Sequence, residues 1–121
     1  WGNDIPVGVK EVKNEIVPAR FSLSQNYPNP FNPTTNIKYT IPTRPSPYQG
    51  EGRWEGFSVS LTIYDILGRE VATLVNQKQK PGNYEVVFDA SSVGRRISSG
   101  MYFYRLSTGD YSAVKKMMLV K

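Results

Sequence analysis

The 121 residues include no cysteine and no histidine. Without cysteine there are no disulfides and no thiolate metal sites, although this does not decide the redox compartment. Without histidine the commonest general base, the usual catalytic triads and the usual zinc sites are gone together. Only a paired-carboxylate mechanism would remain, and the sequence offers no local pairing to suggest one. Asp65, Asp89 and Asp110 each fall at a strand end or turn, where aspartate ordinarily bonds nearby backbone. No oxygen-ligand loop of calcium-site spacing is visible. The expectation is therefore a protein that is not an enzyme and carries no cofactor and no metal. No apolar run approaches the roughly 20 residues needed to span a bilayer, and none resembles the apolar centre of a secretory signal. The first residue is Trp1 instead of Met, so the chain reads as a fragment or processed tail of a longer protein.

The length fits one domain with a core that needs no staples. The net charge is +5, and residues 1–60 hold six Lys/Arg against five Asp/Glu while residues 61–121 hold nine against five. A basic half suits nucleic acid, anionic lipid or an acidic protein partner. Here the cations are spread over several loops, and only Arg95-Arg96 and Lys115-Lys116 are adjacent. With no recognition motif, nucleic acid is disfavoured.

Alternation with period two recurs along the chain, and helical periodicity does not. Ile37, Tyr39 and Ile41 alternate with polar residues, as do Phe57, Val59, Leu61 and Ile63. Residues 71–75, 84–88, 101–106 and 111–120 extend the series. About seven short strands separated by turn residues predict an all-β, immunoglobulin-like antiparallel β-sandwich. Asp65 suits a type I turn and Gly68 the left-handed position closing a bulged hairpin, which makes residues 57–64 and 69–75 antiparallel neighbours. Residues 76–80 read as a polar tip before the Pro81-Gly82 turn. Gly109-Asp110 predicts a final hairpin. Residues 1–20 read as a linker with one candidate edge strand at 7–12, and residues 21–121 as the folded domain. The Pro/Gly-rich stretch 42–56 reads as an exposed loop.

Residues 21–42, FSLSQNYPNPFNPTTNIKYTIP, place four prolines and four asparagines ahead of an alternating strand. Each proline fixes its own φ and drives the residue before it towards extended backbone, so helix is nearly excluded at Tyr27, Asn29 and Asn32. Phe31 is a single large apolar anchor among them. The block is either a recognition epitope or a rigid lead-in that fixes the first strand's register, and turn chemistry alone does not separate the two. For Tyr102, Phe103 and Tyr104, neighbouring strand residues face opposite ways, so core packing of Tyr102 and Tyr104 is favoured over a sugar-stacking platform. Tyr48, Trp54 and Phe57 are the better carbohydrate candidates, set against a loop's own apolar cluster.

These blocks resemble a known family. The Asn/Pro block, YDILGREVATLV at 64–75, PGNYEVVFDAS at 81–91, SGMYFYRL at 99–106 and the terminal KKMMLVK are similar, in wording and order, to the type A C-terminal sorting domain of the type IX secretion system. The middle hairpin is more distantly similar to the immunoglobulin-like domain of the flagellar hook-capping protein. Residues 42–56 and 91–99 are longer than the family usually carries. The resemblance implies a signal that directs a cargo across the outer membrane, with removal of the domain and cell-surface attachment of the cargo. Its implied partners are the secretion machinery, a cell-surface sortase-like peptidase and the upstream cargo in the same precursor. Its implied location is the periplasm in transit, then the cell surface or extracellular space. The implied recognition residues are Pro28, Pro30, Gly100, Tyr102, Lys115, Lys116, Met117, Met118, Leu119 and Val120. An accessory module binding carbohydrate or protein, or a structural spacer, is the alternative. A basic, partly exposed terminal strand also invites recognition by strand addition.

Overall fold

Two four-stranded antiparallel sheets form the molecule in a computed structural model that describes residues 9–12, 20–42, 56–94, 96–109 and 111–121. The strands are β1 Val9–Val12, β2 Ser22–Leu23, β3 Thr34–Ile41, β4 Phe57–Tyr64, β5 Glu70–Gln79, β6 Gly82–Asp89, β7 Gly100–Ser107 and β8 Ser112–Leu119. Sheet A has the order β1-β6-β3-β2 and sheet B the order β5-β4-β7-β8. This is the predicted β-sandwich. The predicted edge strand is β1, which pairs with β6 in the register Val9↔Val86 to Val12↔Asn83.

Alternation decides what fills the space between the sheets. Ile37, Tyr39 and Ile41 of β3, with Tyr84, Val86 and Phe88 of β6, face Val59, Leu61 and Ile63 of β4 and Tyr102, Tyr104 and Leu106 of β7. Burying an aliphatic or aromatic side chain contributes roughly 1.5–3 kcal/mol, so these rows carry the stability of the fold. Tyr102 and Tyr104 lie in this core, as the alternation predicts, and their hydroxyls are satisfied by backbone carbonyls of Ser98 and Ser24 at 2.6 and 2.7 Å. A smaller aromatic cluster closes one end, where the Phe21 ring stacks on Tyr111 at 4.9 Å and meets Phe57 edge-on at 5.0 Å. Phe57 is thus engaged in packing, while Tyr48 and Trp54 lie outside the described residues, as do most of the loop 42–56 and Asp110.

The β4–β5 hairpin turns as predicted. Asp65 Oδ1 accepts from the amides of Leu67 and Arg69, both at 2.9 Å, and Asp65 Oδ2 accepts from Arg69 Nε at 2.9 Å. Gly68 stands at φ +83°, in the left-handed region that glycine favours. The polar tip expected at 76–80 is instead the continuation of β5 to Gln79. An edge strand exposes much of its side-chain row, so polar residues there carry no apolar alternation. Gln79 itself is buried because its Oε1 accepts from the Tyr39 hydroxyl at 2.7 Å. The chain then crosses from sheet B to sheet A at Lys80-Pro81.

Candidate functional site

The Asn/Pro block runs from one sheet to the other. Tyr27 exchanges two backbone hydrogen bonds with Asn36 of β3 at 2.9 and 3.0 Å, which holds its start on sheet A. Four residues later, the Phe31 amide donates to Met118 O at 2.9 Å and the Val120 amide donates to Phe31 O at 3.0 Å. Asn29 Oδ1 accepts from the Met118 amide at 3.0 Å, and Gln25 Nε2 donates to Lys116 O at 2.7 Å. The outer edge of β8 is therefore occupied from Lys116 to Val120 by residues 25–31, with a parallel bridge between Phe31 and Leu119. Strand addition by a partner has no free backbone to use there, which corrects that expectation for this part of β8. The Tyr27-Pro28, Asn29-Pro30 and Asn32-Pro33 peptide bonds are all cis.

Two side chains fix the block inward. Phe31 is 2 % exposed and packs edge-on against Phe88 of sheet A at 5.9 Å. Asn26, also 2 % exposed, donates through Nδ2 to Thr35 Oγ1 at 3.0 Å and Pro28 O at 3.2 Å, and accepts through Oδ1 from Gln25 Nε2 at 2.7 Å. Its amide donates to the Tyr104 hydroxyl at 2.8 Å. A buried amide side chain is stable only when its donors and acceptors are used in this way. Burial of Tyr104 pushes its hydroxyl up to about 12, with the Asn26 amide pulling the other way. Sequence reasoning singled out Phe31 as an anchor but missed Asn26 and Tyr104 as a bonded pair, since the two are 78 residues apart.

The residues implicated by resemblance separate into two groups. Pro28, Pro30, Lys116 and Val120 are exposed; Gly100, Lys115 and Met118 are half-buried; Tyr102, Met117 and Leu119 belong to the core. The core members can only shape the surface that the others display. Lys115 lies opposite the inward-facing Tyr104 and Lys116 opposite the outward-facing Phe103, so the two lysines address opposite faces of the strand and are not one basic pair. Gly100 starts β7 opposite Leu119 at φ +145°, with open space where a Cβ would stand. Its need for glycine is thus conformational, not steric.

Around this end of the sandwich, a cleft of about 350 Å³ opens between the Asp65–Arg69 turn and the start of β7, with Ile66 and Leu67 exposed at its rim. The three hydrogen bonds that Asp65 accepts, the Arg69 amide foremost, hold its carboxyl below the usual range. That carboxylate is committed to the turn. Among the described residues no helix is long and apolar enough to cross a membrane.

The family model for the secretion system C-terminal sorting domain matches residues 25–121, from the Gln25 that bonds β8 to the end of the chain. The chain belongs to this family. The sorting domain is the C-terminal secretion signal of the type IX system, and its cargo is exported to the cell surface or extracellular space. It interacts with the secretion machinery to do so. Among solved structures, a protein described as PorZ, an essential bacterial surface component of the type IX secretion system of Porphyromonas gingivalis, is similar at 20% identity and a TM-score of 0.51. The likeness covers 80% of this chain and 11% of that one, so the chain spans about a tenth of that neighbour's length and shares its fold over that part. No curated protein matches the chain.

Proposed function

We propose that the secretion machinery reads this domain as a folded unit in the periplasm, and that the surface it reads is built by the Asn/Pro block together with β8. A signal shared by unrelated cargos must fold by itself and present one surface each time. Preorganisation of that surface lowers the ordering cost of binding. The observation that carries the reading is the clamp: Phe31, Asn29 and Gln25 occupy the outer edge of the last strand, so Lys116, Val120, Pro28 and Pro30 are held in one place. In this reading the domain has no catalytic activity of its own.

The partner that acts next is a sortase-like peptidase at the cell surface, which cuts within residues 1–20 before the cargo is attached. A peptidase needs an extended strand free of sheet partners, so cleavage falls outside Val9–Val12 while that strand is paired with β6. The test is a reporter cargo fused to the full chain, compared with the same fusion lacking residues 115–121, in a bacterium with a type IX system. The full fusion is expected in the medium or at the cell surface, and the shortened one in the periplasm. Export of both would refute the reading. Mass spectrometry of the exported cargo locates the cut, and a new C-terminus within residues 35–121 would refute its placement.

A further inference from the structure

The outer face of sheet B is polar along β4 and β5, which turn out Ser58, Ser60, Thr62, Thr73, Asn76 and Lys78, but its β7–β8 side differs from that and from sheet A. On β7 and β8 the core takes Tyr102, Tyr104, Leu106, Met117 and Leu119, so period two turns Met101, Phe103, Arg105, Val114, Lys116 and Met118 outward. The register sets them side by side: Met101 opposite Met118, Phe103 between Tyr64 and Lys116, and Arg105 between Thr62 and Val114. Tyr64, Met101, Phe103, Val114 and Met118 are half-buried or exposed, and none belongs to the core or packs against it. Arg105 and Lys116 are exposed, and neither is ion-paired with a described carboxylate. Arg105 Nε donates to Ser112 Oγ at 3.0 Å, which holds the guanidinium along β8. Glu70 stands only at the rim, opposite Tyr64 and bonded to Thr73.

Sheet A shows what solvent alone asks of an outer face. There β3 turns out Thr34, Asn36, Lys38 and Thr40, and β6 turns out Asn83, Glu85, Val87 and Asp89, with Lys38 opposite Glu85. A sheet face open to water is ordinarily of this polar kind. A contiguous apolar patch needs another explanation. Tyr, Phe, Met and Arg are the types enriched at protein interfaces, whereas charged residues are depleted at interface centres unless they are paired.

We infer that the outer face of sheet B, centred on Phe103, docks an acidic protein surface of the secretion machinery in which carboxylates beside an apolar ridge pair with Arg105 and Lys116. This deepens the proposed reading, because it rests on recognition of the folded domain and names the chemistry of the partner. The two cations with no carboxylate between them select an acidic surface and repel a basic one. The apolar side chains beside them, Phe103 and Val114 in the same two pairs and Met101 and Met118 in the next, supply burial that a purely electrostatic contact would lack.

The test uses the reporter cargo fused to the full chain. Phe103→Ser with Met118→Ser, and separately Arg105→Glu with Lys116→Glu, are each expected to lower the exported fraction at least about ten-fold, the effect of losing a single hot-spot contact. Arg105→Lys with Lys116→Arg keeps the charges and is expected to keep export, as is Lys38→Glu with Val87→Ser on sheet A. Thermal melts of the purified chains check folding. If the Phe103/Met118 variant does not fold, the exposed charge pair decides. Normal export of the charge-reversed variant, with export abolished on deleting residues 21–121, would overturn the inference and leave recognition of the folded domain standing, with Lys116 outside the surface that is read. Normal export after that deletion would overturn both. Cosedimentation of the chain with phosphatidylglycerol vesicles covers a lipid surface instead: no dependence on Phe103 is expected, and binding lost in the Phe103/Met118 variant would overturn the protein partner.

Discussion

The two edge strands of sheet B, β5 and β8, are treated differently. Strand β5 is ten residues long, shows register shifts between Leu61/Thr62 and Ile63/Tyr64 in its ladder with β4, and lies on the far side of the sheet from the clamp. Bulges of this kind twist an edge and protect it from unwanted pairing. Strand β8 is near the chain end, where fraying concentrates, yet its outer backbone groups at Lys116, Met118 and Val120 are bonded to residues 25–31. The difference shows where the fold concentrates order. Strand β5 is protected by its own irregularity, whereas β8 is held by a segment about 90 residues upstream and becomes a fixed feature of the surface.

Removing the anchor of the clamp should erase the difference. Phe31→Ala is expected to cost about 3–5 kcal/mol, as for other buried phenylalanines, measured by denaturant unfolding. A loss under about 1 kcal/mol would mean that the ring does not hold the block. Tyr104→Phe comes next, because it leaves the Asn26 amide and Ser24 O without their partner; buried groups orphaned in this way cost about 1–3 kcal/mol. The pH profile checks separately that the hydroxyl is buried. Tyr104 is raised in the folded state from 10.0 to about 12, so its contribution is fully present below pH 10.0 and is lost as pH rises through the folded value. In Tyr104→Phe the alkaline fall in melting temperature should be shallower, with the remainder due to Tyr39, whose burial also raises it. An identical alkaline profile would contradict the assignment.

The β5 side responds at the opposite end of the pH scale. Asp65 lies below its ordinary 3.8 in the folded state, so its stabilisation is present above that value and is lost as pH falls through the folded one. Asp65→Asn should therefore flatten the acid decline in melting temperature and leave the alkaline side unchanged. The smallest effect on stability is expected from Lys115→Ala with Lys116→Ala, about 0.5 kcal/mol for side chains at the surface. Because the two face opposite sides, the single variants should differ in export, with Lys116→Ala the weaker secretor. Equal, normal export of both would remove Lys116 from the recognition surface.

Much of this was legible in the sequence because it is local. The alternation in β3, β4 and β7, the Asp65 and Gly68 turn and the terminal hairpin all follow from patterns of two to five residues. The opposite facing of Lys115 and Lys116 also follows from period two, although their adjacency suggests a basic pair. What was not legible is non-local. Asn29 and Met118 are 89 residues apart, and no short-range pattern says that an Asx-rich block will cap the last strand. Residues 76–79 escaped for a different reason: an exposed edge shows polar residues, and the burial of Gln79 depends on the Tyr39 hydroxyl from the other sheet.

Residues 25–31 clamp β8, and amide hydrogen exchange tests this most directly. On the outward edge, the Met118 and Val120 amides are bonded to Asn29 Oδ1 and Phe31 O, whereas Val114 on the same edge lies beyond the clamp. Slow exchange is expected at Met118 and Val120, fast exchange at Val114, and loss of the Met118 protection in Asn29→Ala. Fast exchange at Met118 and Val120 in the intact chain, at the rate of Val114, would contradict it.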